Sequence, residues 1–208
     1  MQAQIIPATD PNAIPHALDV IRNGGLVAFP TDTVYGLAAQ VFDPVSAARL
    51  YVAKGRSSNK AIAVLMSSAQ ELELVTETPS PKIQRVAEHF FPGPITLVVP
   101  KHPNIPRVVS SLPTVGVRIP DHPVALALLR AAGPLAVTSA NRSGRDNAMT
   151  AEDVLEQLNH RIHLILDGGR SPGGVPSTVV DCMTDPPTIL RQGPISLDDL
   201  MEVWNSPQ

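Results

Sequence analysis

Residues 10–36 read DPNAIPHALDVIRNGGLVAFPTDTVYG, and the reading of this stretch decides the fold class. Asp10-Pro11 has the form of an N-cap followed by proline at the first helical position. Ile14, Leu18 and Ile21 then share one helical face, and Gly24-Gly25 ends the helix. LVAFP is a short apolar strand. It runs into the polar turn Pro30-Thr31-Asp32-Thr33-Val34-Tyr35-Gly36, which places three oxygen-bearing side chains directly after a strand. Ligands of α/β sheets settle in crevices at such strand ends. The same residue types also serve simply as turn formers.

The helix-then-strand pattern continues along the chain. A helix is expected from about Pro44 to Ala53, a strand at AIAVLM, and helices at SAQELELV and SPKIQRVAEHF. ITLVVP and TVGVRIP are strands, residues 122–132 a helix ended by Gly133-Pro134, and LAVTSAN a strand with its loop. Thr150 and Asp153 frame a capping box for TAEDVLEQL, and Ser196 caps SLDDLMEVW. HLILDGG, STVVDCM and PTILRQG are late strands with no helix between them. Alternating elements argue an α/β architecture, and the late strands make the sheet mixed. With no linker, repeat or low-complexity segment, one domain over 1–208 is the expectation, with no C-terminal extension domain.

Composition limits what the chain can bind. The formal net charge is −3, so a broad basic face for nucleic acid is not expected and any anion site must be a local pocket. The single cysteine, Cys182, excludes an internal disulfide framework and fits a reducing cytosol. Its VVDCMT surroundings make it a buried, inert thiol. No signal peptide or apolar run of membrane-spanning length is evident.

Local chemistry concentrates in a few places. Lys54 and Arg56 lie two apart in AKGRSSNKAIAVLM, and an extended backbone there would point both cations to one side. Ser139-Ala140-Asn141 follows the apolar run PLAVT. Two cations with a hydroxyl and an amide at strand ends suit a polyanion such as a nucleotide. Phe91-Pro92-Gly93-Pro94-Ile95-Thr96 is a stiff turn ending in a hydroxyl. Arg118 in VGVRIP and Arg191 in TILRQGPI are charges inside apolar runs, so each is either paired or faces a polar cavity. The glycine-rich segment from Gly168 to Gly174 is not a P-loop, because no Lys-Ser/Thr follows it. It is either a mobile loop over a site or a connector. Ser57-Ser58-Asn59-Lys60 has the S-x-x-K spacing of penicillin-recognising acyl enzymes, but Lys-Thr-Gly is absent and that reading is rejected. His160 and His163 lack the further ligands of a metal set.

In order, the chain reads FPTDTVYGLAA, KGR, FPGPITLVV, VGVRIPDHP, LAVTSANRSG, STVVD and ILRQGPI. This series resembles the threonylcarbamoyl-AMP synthases, the YrdC-like family, from about Leu26 to Ile195. The family's K-x-R…S-x-N signature falls on Lys54, Arg56, Ser139 and Asn141. The resemblance implies a YrdC-like fold, a twisted mixed parallel/antiparallel sheet flanked by helices with a central cleft. It implies a cytoplasmic enzyme that joins L-threonine, bicarbonate or CO2 and ATP into L-threonylcarbamoyladenylate and releases pyrophosphate. The product would feed N6-threonylcarbamoyladenosine formation at position 37 of tRNA through a separate transferase complex, with weak or no direct tRNA binding. Mg2+ would arrive with ATP rather than on protein side chains. By similarity, Lys54 and Arg56 are catalytic; Arg56, Lys60, Thr96, Ser139, Asn141, Asn147 and Arg191 bind ATP; Thr33, Arg118 and Thr138 bind threonine, Arg118 as a bidentate fork on its carboxylate. Ser57 and Ala61 depart from the prolines usual in the family, and Asn147 from a small hydroxyl residue. The alternatives are a non-catalytic RNA-binding relative on the same fold and a carbamoyl-phosphate-using domain, the latter found in longer chains with zinc motifs.

Overall fold

The computed structural model describes residues 2–58 and 60–206; Met1, Pro207, Gln208 and Asn59, the third residue of the rejected S-x-x-K spacing, lie outside the described residues. In chain order the elements are β1 (Gln4–Pro7), α1 (Ala13–Arg22), β2 (Val27–Phe29), β3 (Gly36–Gln40), α2 (Pro44–Lys54) and β4 (Ala63–Leu65). A 3-10 turn (Ala69–Glu71) leads into α3 (Leu72–Val75), followed by α4 (Pro81–Phe90), β5 (Ile95–Pro100), β6 (Thr114–Arg118), α5 (Pro123–Ala132) and β7 (Leu135–Ser139). The chain then forms α6 (Ala151–Leu158), β8 (Leu164–Asp167), β9 (Thr178–Asp181), β10 (Thr188–Arg191) and α7 (Leu197–Asn205).

Among the described residues, ten strands join one sheet in the order β1-β8-β2-β3-β7-β4-β6-β5-β9-β10. β8 runs parallel to β1 and β2, β4 to β6, and β5 to β9. The remaining pairings are antiparallel, so the sheet is mixed as expected.

Strand alternation divides the core. Ala136, Val64, Val117 and Leu97 stand in register across β7, β4, β6 and β5, and all pack on the face covered by α2, α4, α6 and α7. Leu135, Val137, Val27 and Phe29 point the other way, toward Ala13, Ala17 and Ile21 of α1 and Leu128 and Leu129 of α5. Those two helices pack over β8, β2, β3 and β7 and reach Leu65 of β4. Over β6, β5 and β9, among the described residues, no helical residue lines this face at the cleft. There the upward residues include Ala63, Gly116, Thr96 and Val179, mostly small, and they form the floor of a cleft.

Three expectations are corrected. α1 begins at Ala13, because the Asp10 carboxylate accepts the Asn12 N–H at 2.8 Å and its carbonyl the Ala13 N–H at 2.9 Å, holding Pro11 and Asn12 in a turn. Its fully buried stripe is Ala13, Ala17 and Ile21, with Ile14 and Leu18 half-buried. SAQELELV is not one helix: the Glu71 carboxylate accepts the Ser67 and Ser68 N–H groups at 2.6 and 3.3 Å, capping a 3-10 turn that only then becomes α3. Strands β1 and β3 carried no clear signal. GLAAQ is poor in β-branched residues, yet β3 sits between β2 and β7 and is buried along most of its length, where pairing outweighs propensity.

Cys182 is buried, and its thiol is pushed up to about 12 by desolvation and Asp181. Iodoacetamide at pH 8 should therefore leave the folded protein unlabelled and modify Cys182 only in urea, as read by mass spectrometry.

Candidate active site

The cleft encloses about 410 Å³ and is lined by loops from both ends of the central strands. At one end stands the β2–β3 turn. The Thr31 hydroxyl donates to the Val34 carbonyl at 2.6 Å and accepts the Thr33 N–H at 3.2 Å. The Thr33 hydroxyl lies 3.0 Å from that of Thr31 and accepts from Arg118 Nη1 at 3.0 Å. Arg118 Nε donates to the Gly93 carbonyl at 3.0 Å, and Nη2 pairs with Asp32 Oδ1 at 2.5 Å. Burial pushes the Arg118 guanidinium down from its usual value, and Asp32 pulls it back up; it stays charged. Of its five N–H groups, three are taken, leaving one on each Nη. The second Asp32 oxygen is buried and unpartnered.

Behind this turn lies the glycine-rich loop. The Tyr35 hydroxyl donates to the Gly169 carbonyl at 2.7 Å and accepts the Gly168 N–H at 3.3 Å. Ser171 N–H donates to Met149 O at 2.8 Å, and Gly174 N–H to Thr33 O at 2.9 Å. Gly173 presses on the turn itself: a Cβ there would stand 2.6 Å from the Asp32 carbonyl oxygen. The loop is thus a docked buttress for Thr33. Burial raises the Tyr35 phenol to about 12, against 10 in the unfolded chain. Its contribution is full below pH 10 and is lost as pH rises through 12. Tyr35→Phe should remove that slope from stability measured by denaturant titration, and cost about 1–3 kcal/mol at neutral pH.

Across the cleft, Arg191 Nε and Nη2 donate to the Ser177 carbonyl at 3.1 and 2.8 Å, and Nη2 also to the Ser177 hydroxyl at 3.1 Å. That hydroxyl lies 2.8 Å from the Thr96 hydroxyl. Arg56, half-buried on the facing wall, donates from Nη2 to the Ala61 carbonyl at 2.8 Å, while its buried Nε has no partner. Burial lowers the basicity of both guanidiniums, and the Arg56 charge lowers that of Arg191 further.

Of the residues singled out from sequence, Thr33, Arg56, Thr96, Arg118, Thr138, Ser139 and Arg191 line this one cleft. Lys54, Lys60, Asn141 and Asn147 do not. Lys60 is exposed beyond the rim and Asn147 is half-buried near the start of α6. Lys54 and Arg56 do not share a side, as an extended backbone would give. Lys54 is the last residue of α2, and Gly55 with φ of 60° turns the chain between them. Ser177, at the head of STVVD, also lines the cleft, and its only sequence signal is a hydroxyl immediately before a strand. His163 is structural, its Nδ1 accepting the Leu26 N–H at 3.0 Å. Among the described residues no three His, Cys, Asp or Glu side chains converge as a metal set, and no helix is long and apolar enough to cross a membrane.

A mixed α/β sheet whose open face holds hydroxyls and a buried arginine at one end, and two more arginines at the other, defines a small-molecule site for anionic ligands. The chain belongs to the Sua5/YciO/YrdC family, described as "Telomere recombination", whose profile matches residues 19–193. It is 40% identical over 189 residues to the threonylcarbamoyl-AMP synthase of Pyrococcus abyssi, covering 90% of this chain and 56% of that protein. It is 37% identical over 198 residues to a putative threonylcarbamoyl-AMP synthase of Mycobacterium tuberculosis, covering 95% and 91%. The crystal structure of P. abyssi Sua5 complexed with L-threonine superposes with a TM-score of 0.89 at 40% identity, over 91% of this chain and 56% of that one. The chain therefore spans little more than half of the P. abyssi relative.

Proposed function

We propose that this chain makes L-threonylcarbamoyladenylate from L-threonine, bicarbonate-derived CO2 and ATP, releasing pyrophosphate. One observation carries the reading: in a protein of net charge −3, Arg56, Arg118 and Arg191 converge on a single cleft with hydroxyls between them. The P. abyssi relative that binds L-threonine supports it.

The two free N–H groups of Arg118 would receive the threonine carboxylate end-on, with Thr33 and Thr138 beside it. The threonine amine attacks the carbon of CO2 and loses a proton, giving a carbamate. A carbamate oxygen then attacks the α-phosphorus of ATP, and the bond to the bridging oxygen breaks to release pyrophosphate. Both partners are anions, so the protein's part is to hold them together and offset their repulsion. Arg56 and Arg191 would face the phosphates, with Lys60 at the rim, while Thr96, Ser139, Asn141 and Asn147 would contact or frame the nucleotide. Mg2+ would enter on the triphosphate oxygens. The adenylate would pass, in the cytoplasm, to a separate transferase that modifies tRNA at position 37.

Purified protein incubated with ATP, Mg2+, bicarbonate and L-threonine should give a threonine-dependent adenylate by mass spectrometry, with pyrophosphate. ATP left intact under all these conditions would sink the reading.

A further inference from the structure

Lys54 has no role at the cleft surface, yet it is only 2% exposed and carries a charge into the protein interior. We infer that Lys54 is a positioning residue, a clamp whose ammonium holds the Ser139–Ala140–Asn141 segment at the cleft edge, so that Arg56 alone presents the motif's charge to the nucleotide. This rests on the nucleotide reading above.

The ammonium has three N–H donors. They meet the Ser139 carbonyl, the Asn141 carbonyl and, at 3.2 Å, Asn141 Oδ1. None is left for a phosphate. The lysine's own carbonyl takes the Ser143 N–H at 2.9 Å, so backbone and side chain grip the same loop. Inside the loop, Ser139 Oγ donates to Asn141 Oδ1 at 2.6 Å, and Asn141 Nδ2 donates to the Arg142 and Arg145 carbonyls at 3.1 and 2.7 Å. The signature pair Ser139 and Asn141 is therefore locked around Lys54 as one network. Two carbonyls and an amide oxygen converging at a strand end repel one another unless a cation sits among them. Burial and the Arg56 charge push the ammonium down to about 7, while these oxygens oppose the shift by bonding the charged form. Gly55, in the left-handed conformation, then directs the chain so that Arg56 reaches the cleft. One short segment thus sets both walls of the nucleotide end.

The test compares ligands that differ in charge. Lys54→Met should weaken adenosine and ATP by the same factor, at least about tenfold, as expected for loss of hydrogen bonds to a charged group. L-threonine affinity, measured by calorimetry, should fall less than nucleotide affinity, because the Thr138 hydroxyl shares only the Ser139 carbonyl with the clamp. Lys54→Arg should not restore nucleotide affinity, because a planar fork cannot satisfy three convergent oxygens. Loss confined to ATP, with adenosine unaffected, would mean direct phosphate contact and would overturn the clamp. If Lys54→Met does not fold, amine acetylation of the wild-type protein gives an independent answer. Lys54 should resist acetylation with or without ATP, while exposed Lys60 reacts in the free protein; Lys54 that reacts in the free protein and is shielded by ATP overturns the proposal. Wild-type protein that binds neither adenosine nor ATP would remove the nucleotide reading, and the acetylation pattern would still decide the clamp.

Discussion

Arg118→Met should abolish threonine-dependent pyrophosphate release and destabilise the protein by about 3–5 kcal/mol, because it leaves the Asp32 charge buried without its partner. The two side chains of this ion pair are 7% and 12% exposed, so water does little to replace the lost contact. Arg118 also donates to the Gly93 carbonyl and the Thr33 hydroxyl, and both would lose a donor. For a chain of this size the melting temperature should fall by roughly 10 °C. The double variant Asp32→Asn/Arg118→Met separates the two effects. Removing the orphaned charge should recover part of the stability and none of the activity. Activity restored in the double variant, or an unchanged threonine KM in Arg118→Met, would refute the assignment of the carboxylate to this guanidinium.

Gly193→Ala should be nearly as damaging from outside the cleft. A Cβ there would stand 2.5 Å from the Pro176 carbonyl oxygen and 2.6 Å from the Ser177 carbonyl carbon, and would collide with the Thr178 nitrogen. These are backbone atoms, so no side chain can swing away and the start of β9 must move. Such overpacking costs typically about 1–3 kcal/mol, occasionally more. The displaced residue is Ser177, on which Thr96 and Arg191 both converge. The expected result is a raised ATP KM together with a lowered melting temperature, with threonine affinity less affected. A variant that melts lower but keeps its ATP KM would show that Ser177 does not set the nucleotide wall.

The sequence carried the alternation of elements, the mixed sheet, the capping box at Thr150, the N-cap at Ser196, and the seven cleft-lining residues among those singled out. These depend on local chemistry or on charges that an apolar run cannot bury alone. Other features depend on partners far along the chain. β3 is a strand because β2 and β7 flank it, which its alanines do not announce. Spacing placed Lys54 and Arg56 on one side, but the left-handed turn at Gly55 sends one charge inward and the other to the cleft. Ser177 matters because Arg191, fourteen residues later, folds back onto it. The glycine-rich loop could be read as lid or connector; its bonds to Tyr35 and Thr33 make it a buttress.

The cleft floor, covered by helices only from beneath, has a consequence for how this protein can change. In β4, β5 and β6 each strand serves two masters on alternate residues. Val64, Leu97 and Val117 hold the molecule together on one side, while Ala63, Thr96 and Gly116 shape the floor on the other. Ligand preference can therefore drift, by selection or by engineering, through substitutions at every second position without touching the packing beneath. Gly116 marks the limit of that freedom, since an added methyl would meet Thr96 Cγ2 at 3.1 Å. The floor can be retuned in polarity more readily than it can be raised.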